Sequence, residues 1–391
     1  MDNLCPLAQF PAAVYLEQYL QAHHRFQSLD FSDYSSSVGR MSRQCLASLR
    51  YFLPDQPNHE QILRRVLLNQ ELSRIDECLV EQPTVLQQQL AQTEITDPQH
   101  WLTVAASGKP VLFCTFHYGS YGLINGLLAT QGIDFALPVS SQIFQQLKPR
   151  YDRNMQLLQE QSPATLGKMQ LLDAESSTLL LQLRRKVKAG HSLLFYLDGN
   201  AGVGGMQSSN ENMTPIRWFD QSIQSRIGLS FISHFLQIPI VPVLCYRRGL
   251  LQNTLYFGDA LQPQMQAATA DVHQQVTQQL FDFLATFVRK DPSQWEAWMY
   301  LHRFISTPPL LSEPKTIVLD NDKTLSFNHQ KYQLLKYGSQ LVVFDSSHFR
   351  YFTVPTDCSA VVEDLYRQPL DADQLAAWRP QLQQMPWIQQ Q

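Results

Sequence analysis

Residues 109 to about 260 predict an α/β fold, because short apolar runs alternate there with helical patterns, the texture of a sheet with crossover helices. Three runs carry the reading. Val111-Leu-Phe-Cys-Thr-Phe ends in His117 and breaks at once into Tyr118-Gly-Ser-Tyr-Gly122. Ser192-Leu-Leu-Phe-Tyr-Leu197 ends in Asp198-Gly-Asn200-Ala-Gly202, and Ile238-Pro-Ile-Val-Pro-Val-Leu244 closes the series. Strand ends of this kind can converge on one cleft.

Strands are predicted at 110–116, 134–139, 192–197, 238–245 and 254–258. Between them, Ser176–Lys188 reads as a helix with Leu179, Leu180 and Leu183 on one face, and Ser225–Phe235 as another. A helix at about 270–289 gathers Val276, Leu280, Phe283, Leu284 and Phe287. Before this sheet, residues 1–100 show no strand. Ile62, Val66 and Leu67, then Leu72, Ile75 and Leu79, have amphipathic helical spacing, and Pro54, Pro57 and Pro83 punctuate the region. It is expected to be a helical N-terminal region packed on the core. The α/β domain is expected at 101–307, ending at Pro308-Pro309. Short strand patterns at 316–319, 324–327, 341–344 and 351–354, then helical patterns at 360–366 and 372–378, predict a small α+β accessory domain over 312–391, of the winged-helix kind. There is no internal repeat, and the glutamines are dispersed.

Composition narrows the class. With 391 residues and 44% hydrophobic content, the chain can bury a large core and a second small one. A formal charge of -4 gives no general attraction to nucleic acid, so no nucleic-acid partner is expected, although Arg184-Arg-Lys-Val-Lys188 is a local basic run. Cys5, Cys45, Cys78, Cys114, Cys245 and Cys358 are scattered without metal-ligand spacing, so reduced thiols and no metal are expected. No run reaches the roughly 18–20 apolar residues that span a bilayer, and the N-terminus lacks a secretory pattern. A cytoplasmic location is expected, with peripheral contact to the inner membrane left open.

An imidazole at a strand end suits general-base work, and His117 is the candidate; a core histidine satisfied by a backbone carbonyl is the plain alternative. Asp198-Gly199-Asn200-Ala-Gly202-Val-Gly204-Gly205 can offer backbone amides to an oxyanion or phosphate, or serve as a simple turn or lid; it fits neither a Walker loop nor a dinucleotide fingerprint. Arg217 and Arg226 can meet a phosphate or an acidic helix, or stand as surface charges. Tyr118, Ser120 and Tyr121 are candidate substrate contacts beside His117. Ser120 lacks the leading glycine of a Gly-x-Ser-x-Gly elbow, which disfavours a hydrolase nucleophile.

Gly108-Lys-Pro-Val-Leu-Phe-Cys-Thr-Phe-His117-Tyr-Gly-Ser-Tyr-Gly122 resembles the first motif of the bacterial lipid A biosynthesis acyltransferases, within the lysophospholipid acyltransferase superfamily. Further likenesses follow in order: Arg40-Met-Ser-Arg43 to Phe52-Leu-Pro54; Gly190-His-Ser-Leu-Leu-Phe-Tyr-Leu-Asp198-Gly199; Arg226-Ile-Gly228 through Pro239-Ile-Val-Pro242-Val; and Asp291-Pro-Ser-Gln-Trp295-Glu-Ala-Trp298-Met-Tyr-Leu-His302-Arg303. The resemblance implies an α/β sandwich. It also implies acyl transfer from a phosphopantetheine thioester, on an acyl or peptidyl carrier protein or on CoA, with His117 as base. The acceptor would be an amine or hydroxyl of a small molecule, peptide or lipid.

One departure bears on mechanism. The family places an acid after four intervening residues, where this chain has Gly122. Three explanations stand open: another acid substitutes, the histidine acts alone on an activated thioester, or the domain binds a carrier or peptide without catalysis. Asp198 is the first choice of substitute by position, with Glu211 second and a turn-forming role for Asp198 as the alternative. The C-terminal pattern resembles the small peptide-chaperone domain of pyrroloquinoline quinone biosynthesis, which implies leader-peptide binding by strand addition; a cap or self-association module is the other reading.

Overall fold

The computed structural model describes residues 12–31, 33–79, 89–161, 166–199, 212–249, 252–263, 269–305 and 323–390. In chain order the principal elements are α1 (Ala12–Gln27), α2 (Ser37–Phe52), α3 (His59–Leu79), β1 (Glu94–Thr96), α4 (Trp101–Ala106), β2 (Leu112–Thr115), α5 (Leu123–Thr130), β3 (Phe135–Val139), α6 (Ser141–Gln161), β4 (Met169–Asp173), α7 (Leu179–Lys188), β5 (Ser192–Tyr196), β6 (Met213–Trp218), β7 (Gln221–Arg226), α8 (Gly228–Leu236), β8 (Ile240–Gly249), β9 (Gln252–Phe257) and α9 (Ala270–Val288). The C-terminal part adds β10 (Leu325–Phe327), β11 (Tyr332–Tyr337), β12 (Gln340–Asp345), β13 (Arg350–Thr353), α10 (Ser359–Arg367) and β14 (Ile388–Gln390).

Two compact units result, Met1–Leu29 with Glu60–Ala297, and Asp30–His59 with Trp298–Gln391. The first is an α/β unit whose sheet runs β1-β9-β8-β2-β5-β3-β4. Every pairing in it is parallel except the β8–β9 hairpin. Parallel strands covered on both faces read as continuous apolar runs, and β2 is buried at every position. Phe113, Leu123, Ile124, Leu128, Phe135 and Phe257 fill one face of the core.

All five predicted strands are present, four of them within one or two residues of their expected ends, while β8 runs on to Gly249, four residues past the expected 245; α9 matches within one residue, and α7 starts at Leu179, three residues after the expected Ser176. Three corrections concern shape. Ser225 and Arg226 belong to β7, so the helix predicted from 225 starts at Gly228. The β6–β7 hairpin turns through Phe219 at φ 53° without the glycine or asparagine that would signal it. An edge-on contact of Phe219 with the Trp218 ring at 4.8 Å and the Arg289 guanidinium over the Phe219 ring at 5.1 Å hold this unfavourable backbone in place. A short strand, β1, also lies inside the first 100 residues, where none was expected; it pairs in parallel with β9.

The second unit collects α2 with the C-terminal residues, whereas the sequence reading placed α2 in a lead-in to the main core. Its side chains explain this. Arg40 Nη1 donates to Lys336 O at 2.6 Å, Arg43 Nη1 to Gln333 Oε1 at 2.8 Å, and Ala47 and Tyr51 pack with Leu335, Phe344 and Phe349. The unit contains an antiparallel β11-β12-β13 sheet, a β10–β14 pair and α10. The strand expected at 316–319 and the Pro308-Pro309 boundary lie outside the described residues.

Candidate functional site

Strand register builds the site. Thr115 at the end of β2 lies opposite Tyr196 at the end of β5, so two residues further on His117 and Asp198 come side by side. His117 Nδ1 lies 2.8 Å from Asp198 Oδ1, and the His117 backbone N–H donates to both carboxylate oxygens at 3.1 and 3.0 Å. The Trp295 indole N–H donates to Oδ2 at 2.8 Å. Surrounded by donors, Asp198 acts as an acceptor, so Nδ1 carries the proton and the lone pair lies on Nε2. The Asp198 side chain is 3% exposed and that of His117 24%, so the imidazole faces outward from a buried acid.

The turn after His117 depends on a glycine. Gly119 has φ +61°, and a Cβ there would stand 2.5 Å from Cys245 O. Its N–H donates to Gln294 O and the Ser120 N–H to Cys245 O, tying the loop beneath β8. An aromatic frame then fixes the imidazole: the Tyr121 ring meets it edge-on at 4.8 Å and the Tyr196 ring lies 4.9 Å away. The segment 295–296 closes the arrangement. The Glu296 N–H donates to His117 O at 2.9 Å, and the Tyr121 hydroxyl donates to Glu296 Oε2 at 3.1 Å. Burial pushes the Glu296 carboxyl up, and Asp198 adds to that; the charge of His117 and hydrogen bonds from Tyr121 and Gln70 oppose it. Burial and then Asp198 also hold the Cys114 thiol well above the usual range, so it stays protonated.

Of the residues singled out from the sequence, the structure brings together His117, Asp198 and Tyr121. Gly199 follows Asp198 in the loop, while Asn200, Gly202, Gly204, Gly205 and Glu211 lie outside the described residues. Tyr118 is buried, its hydroxyl donating to Phe287 O and Asp291 O; Ser120 is buried and donates to Asn253 Oδ1 at 2.8 Å. Both therefore serve the packing beneath the loop. Arg217 stands on the exposed face of β6, its main chain held by the Gln278 amide. Arg226 is half-buried at the end of β7, where burial pulls its pKa down. Gly122 immediately precedes α5. His302, from the closing motif, is buried in the second unit, and burial, aided by Arg303, pushes its pKa down to about 3.

Sequence reasoning missed Tyr196, Trp295 and Glu296 as members of the site. Trp295 and Glu296 lie inside the closing motif, but nothing local in that motif shows which side chains turn back toward β2 and β5. Among the described residues no group of three or more His, Cys, Asp or Glu is placed to hold a metal ion, and no helix is long and apolar enough to cross a membrane.

No protein-family model and no curated protein matches the chain. A solved structure similar to it is the crystal structure of the 1-acyl-sn-glycerophosphate (LPA) acyltransferase, PlsC, from Thermotoga maritima. The match has 12% identity and a TM-score of 0.33, and covers 72% of this chain and 99% of that one.

Proposed function

We propose that this chain is an acyltransferase that moves an acyl or aminoacyl group from a phosphopantetheine thioester, on CoA or a carrier protein, to an amine or hydroxyl acceptor. Specialised-metabolite or modified-lipid biosynthesis is the setting that fits. The observation carrying the reading is the 2.8 Å contact between His117 and Asp198 at adjacent strand ends. It supplies the acid that Gly122 lacks, within a chain whose ordered motifs resemble the lipid A acyltransferases.

In this reading His117 Nε2 takes the proton from the acceptor O–H or N–H as that atom attacks the thioester carbonyl. The tetrahedral intermediate collapses with cleavage of the carbon–sulfur bond, and the imidazolium returns the proton to the departing thiolate. The products are an ester or amide and a free thiol. Asp198 holds the tautomer and balances the imidazolium charge. The binding-only alternative draws on Gly122, and the carboxylate beside His117 Nδ1 favours the catalytic reading over it.

The test is intact-mass detection of transfer from a panel of CoA and carrier-protein thioesters to amine and hydroxyl acceptors, comparing the natural chain with His117→Ala. Transfer that vanishes in the variant is the expected result. Equal turnover by both proteins, or tight and equal carrier binding with no transfer by either, would overturn the reading.

A further inference from the structure

We propose that Glu296 is a second acid of this site, a positioning residue that acts on His117 through Tyr121. Residue 296 reaches His117 by two routes. Its backbone N–H holds the His117 carbonyl at 2.9 Å, and its carboxylate accepts the Tyr121 hydroxyl at 3.1 Å. The ring of Tyr121 meets the imidazole edge-on, with centroids 4.8 Å apart and planes at 72°. Tyr121 is fixed from its other end as well, because Tyr196 Oη donates to its backbone carbonyl at 3.3 Å. Gln70, on α3, adds a hydrogen bond to the Glu296 carboxylate. The imidazole is thus oriented at Nδ1 by Asp198, with its ring held against Tyr121 by Glu296.

The second effect is electrostatic. The titratable and polar groups around the Glu296 carboxyl are His117, Asp198, Tyr121 and Gln70, with the Tyr196 ring against His117. A charged His117 favours ionised Glu296. Coupling between two sites is reciprocal, so an ionised Glu296 stabilises protonated His117 by the same free energy. Asp198 works against Glu296 ionisation, as expected of two carboxylates sharing one imidazole. When His117 takes a proton from the acceptor, the new positive charge therefore gains two acidic neighbours. This benefit to turnover rests on the proposed role of His117 as base; the coupling itself does not.

The decisive measurement is the pKa of His117, read from its imidazole NMR signals in the full chain, for the natural protein, Glu296→Gln and Tyr121→Phe. Glu296→Gln keeps an oxygen to accept the Tyr121 hydroxyl while removing the charge, so a native circular dichroism spectrum and melting profile are expected. Losing an anion beside an imidazolium disfavours the charged ring, so the His117 pKa should fall by about 0.5 to 1 unit. Tyr121→Phe keeps the ring and frees the carboxylate, and should broaden or shift the His117 signals while leaving it coupled to Glu296. In any active assay, the acid limb of the pH–rate profile should move with the NMR value in Glu296→Gln. An unchanged His117 pKa in folded Glu296→Gln would overturn the proposal and leave residue 296 a purely structural strut. A shifted pKa in a chain inactive on every thioester would uphold this coupling while sinking the acyl-transfer reading.

Discussion

Asp198 Oδ1 sits 2.8 Å from His117 Nδ1, although 81 residues separate the two. The carboxylate comes from the neighbouring strand end, while Gly122, in the turn after the histidine, offers none. A carboxylate at that contact fixes the imidazole tautomer and stabilises the imidazolium. Asp198→Asn can present its amide to the same nitrogen and favour the wrong tautomer. If the proposed acyl transfer is observed, we expect this variant to fold normally and to lose about 10²- to 10⁴-fold in kcat/KM with little change in KM. An unchanged kcat/KM would remove Asp198 from the mechanism.

Trp295 should matter to the same acid. Its indole N–H donates to Asp198 Oδ2 at 2.8 Å, and its side chain is buried against Trp218 at a ring distance of 4.7 Å. Trp295→Phe keeps much of the packing and deletes the donor. A hydrogen bond to a charged group contributes about 1.5–3 kcal/mol, so urea denaturation should show a loss in that range. A loss well below 1 kcal/mol would mean that the remaining donors suffice for Asp198.

Much of this site was legible in the sequence because strand-end chemistry is local. The apolar runs ending in His117 and Asp198 mark the C-terminal ends of β2 and β5, and the alternation of runs and helices points to a parallel sheet, but the order that places β5 rather than β3 beside β2 is not written in that alternation. What escaped is set by tertiary contact. Trp295 reaches Asp198 from 97 residues away, and the β6–β7 hairpin escaped because its turn, Phe219-Asp220, carries a positive φ on Phe219 where a glycine or asparagine would signal it. The membership of α2 in the second unit was equally hidden, since Arg40 meets Lys336 O across a separation of 296 residues. The α6 helix carries Pro149 inside it, and its sequence is dominated by polar side chains that blur an apolar stripe.

Acid should destabilise the fold before carboxylates titrate. His191, His273, His302 and His329 all have pKa values held below the ordinary 6.5, each mainly by burial, with His302 at about 3. The unfolded chain then binds more protons than the folded one as pH falls through 6.5 toward the folded values, so stability rises with pH in that window. Glu296 acts in the opposite sense, because its raised folded pKa favours protonation of the native state. With four groups against one, the urea midpoint should fall between pH 7.5 and pH 5.5, and His302→Phe should flatten the slope. A midpoint independent of pH, or the same slope in the variant, would contradict the expectation.

A buried ion pair anchors the start of the β8–β9 hairpin to α3. Arg247 Nη2 lies 2.5 Å from Asp76 Oδ2, with side chains 7% and 1% exposed, and the Arg247 backbone N–H and carbonyl are both held by the Gln294 amide. Gln294 in turn receives the Gly119 N–H at its own carbonyl, so the pair supports the loop that carries His117. Removing one partner strands a charge without its counterion in a place water cannot easily reach. Asp76→Ala should therefore cost about 3–5 kcal/mol in urea denaturation. Replacing both partners, as Asp76→Leu with Arg247→Met, removes the charge penalty and should recover most of that loss, because two apolar side chains can fill the space. If the double variant is no more stable than Asp76→Ala, the pair is needed for its hydrogen-bond geometry, and the Gly119 loop should loosen with it in amide exchange.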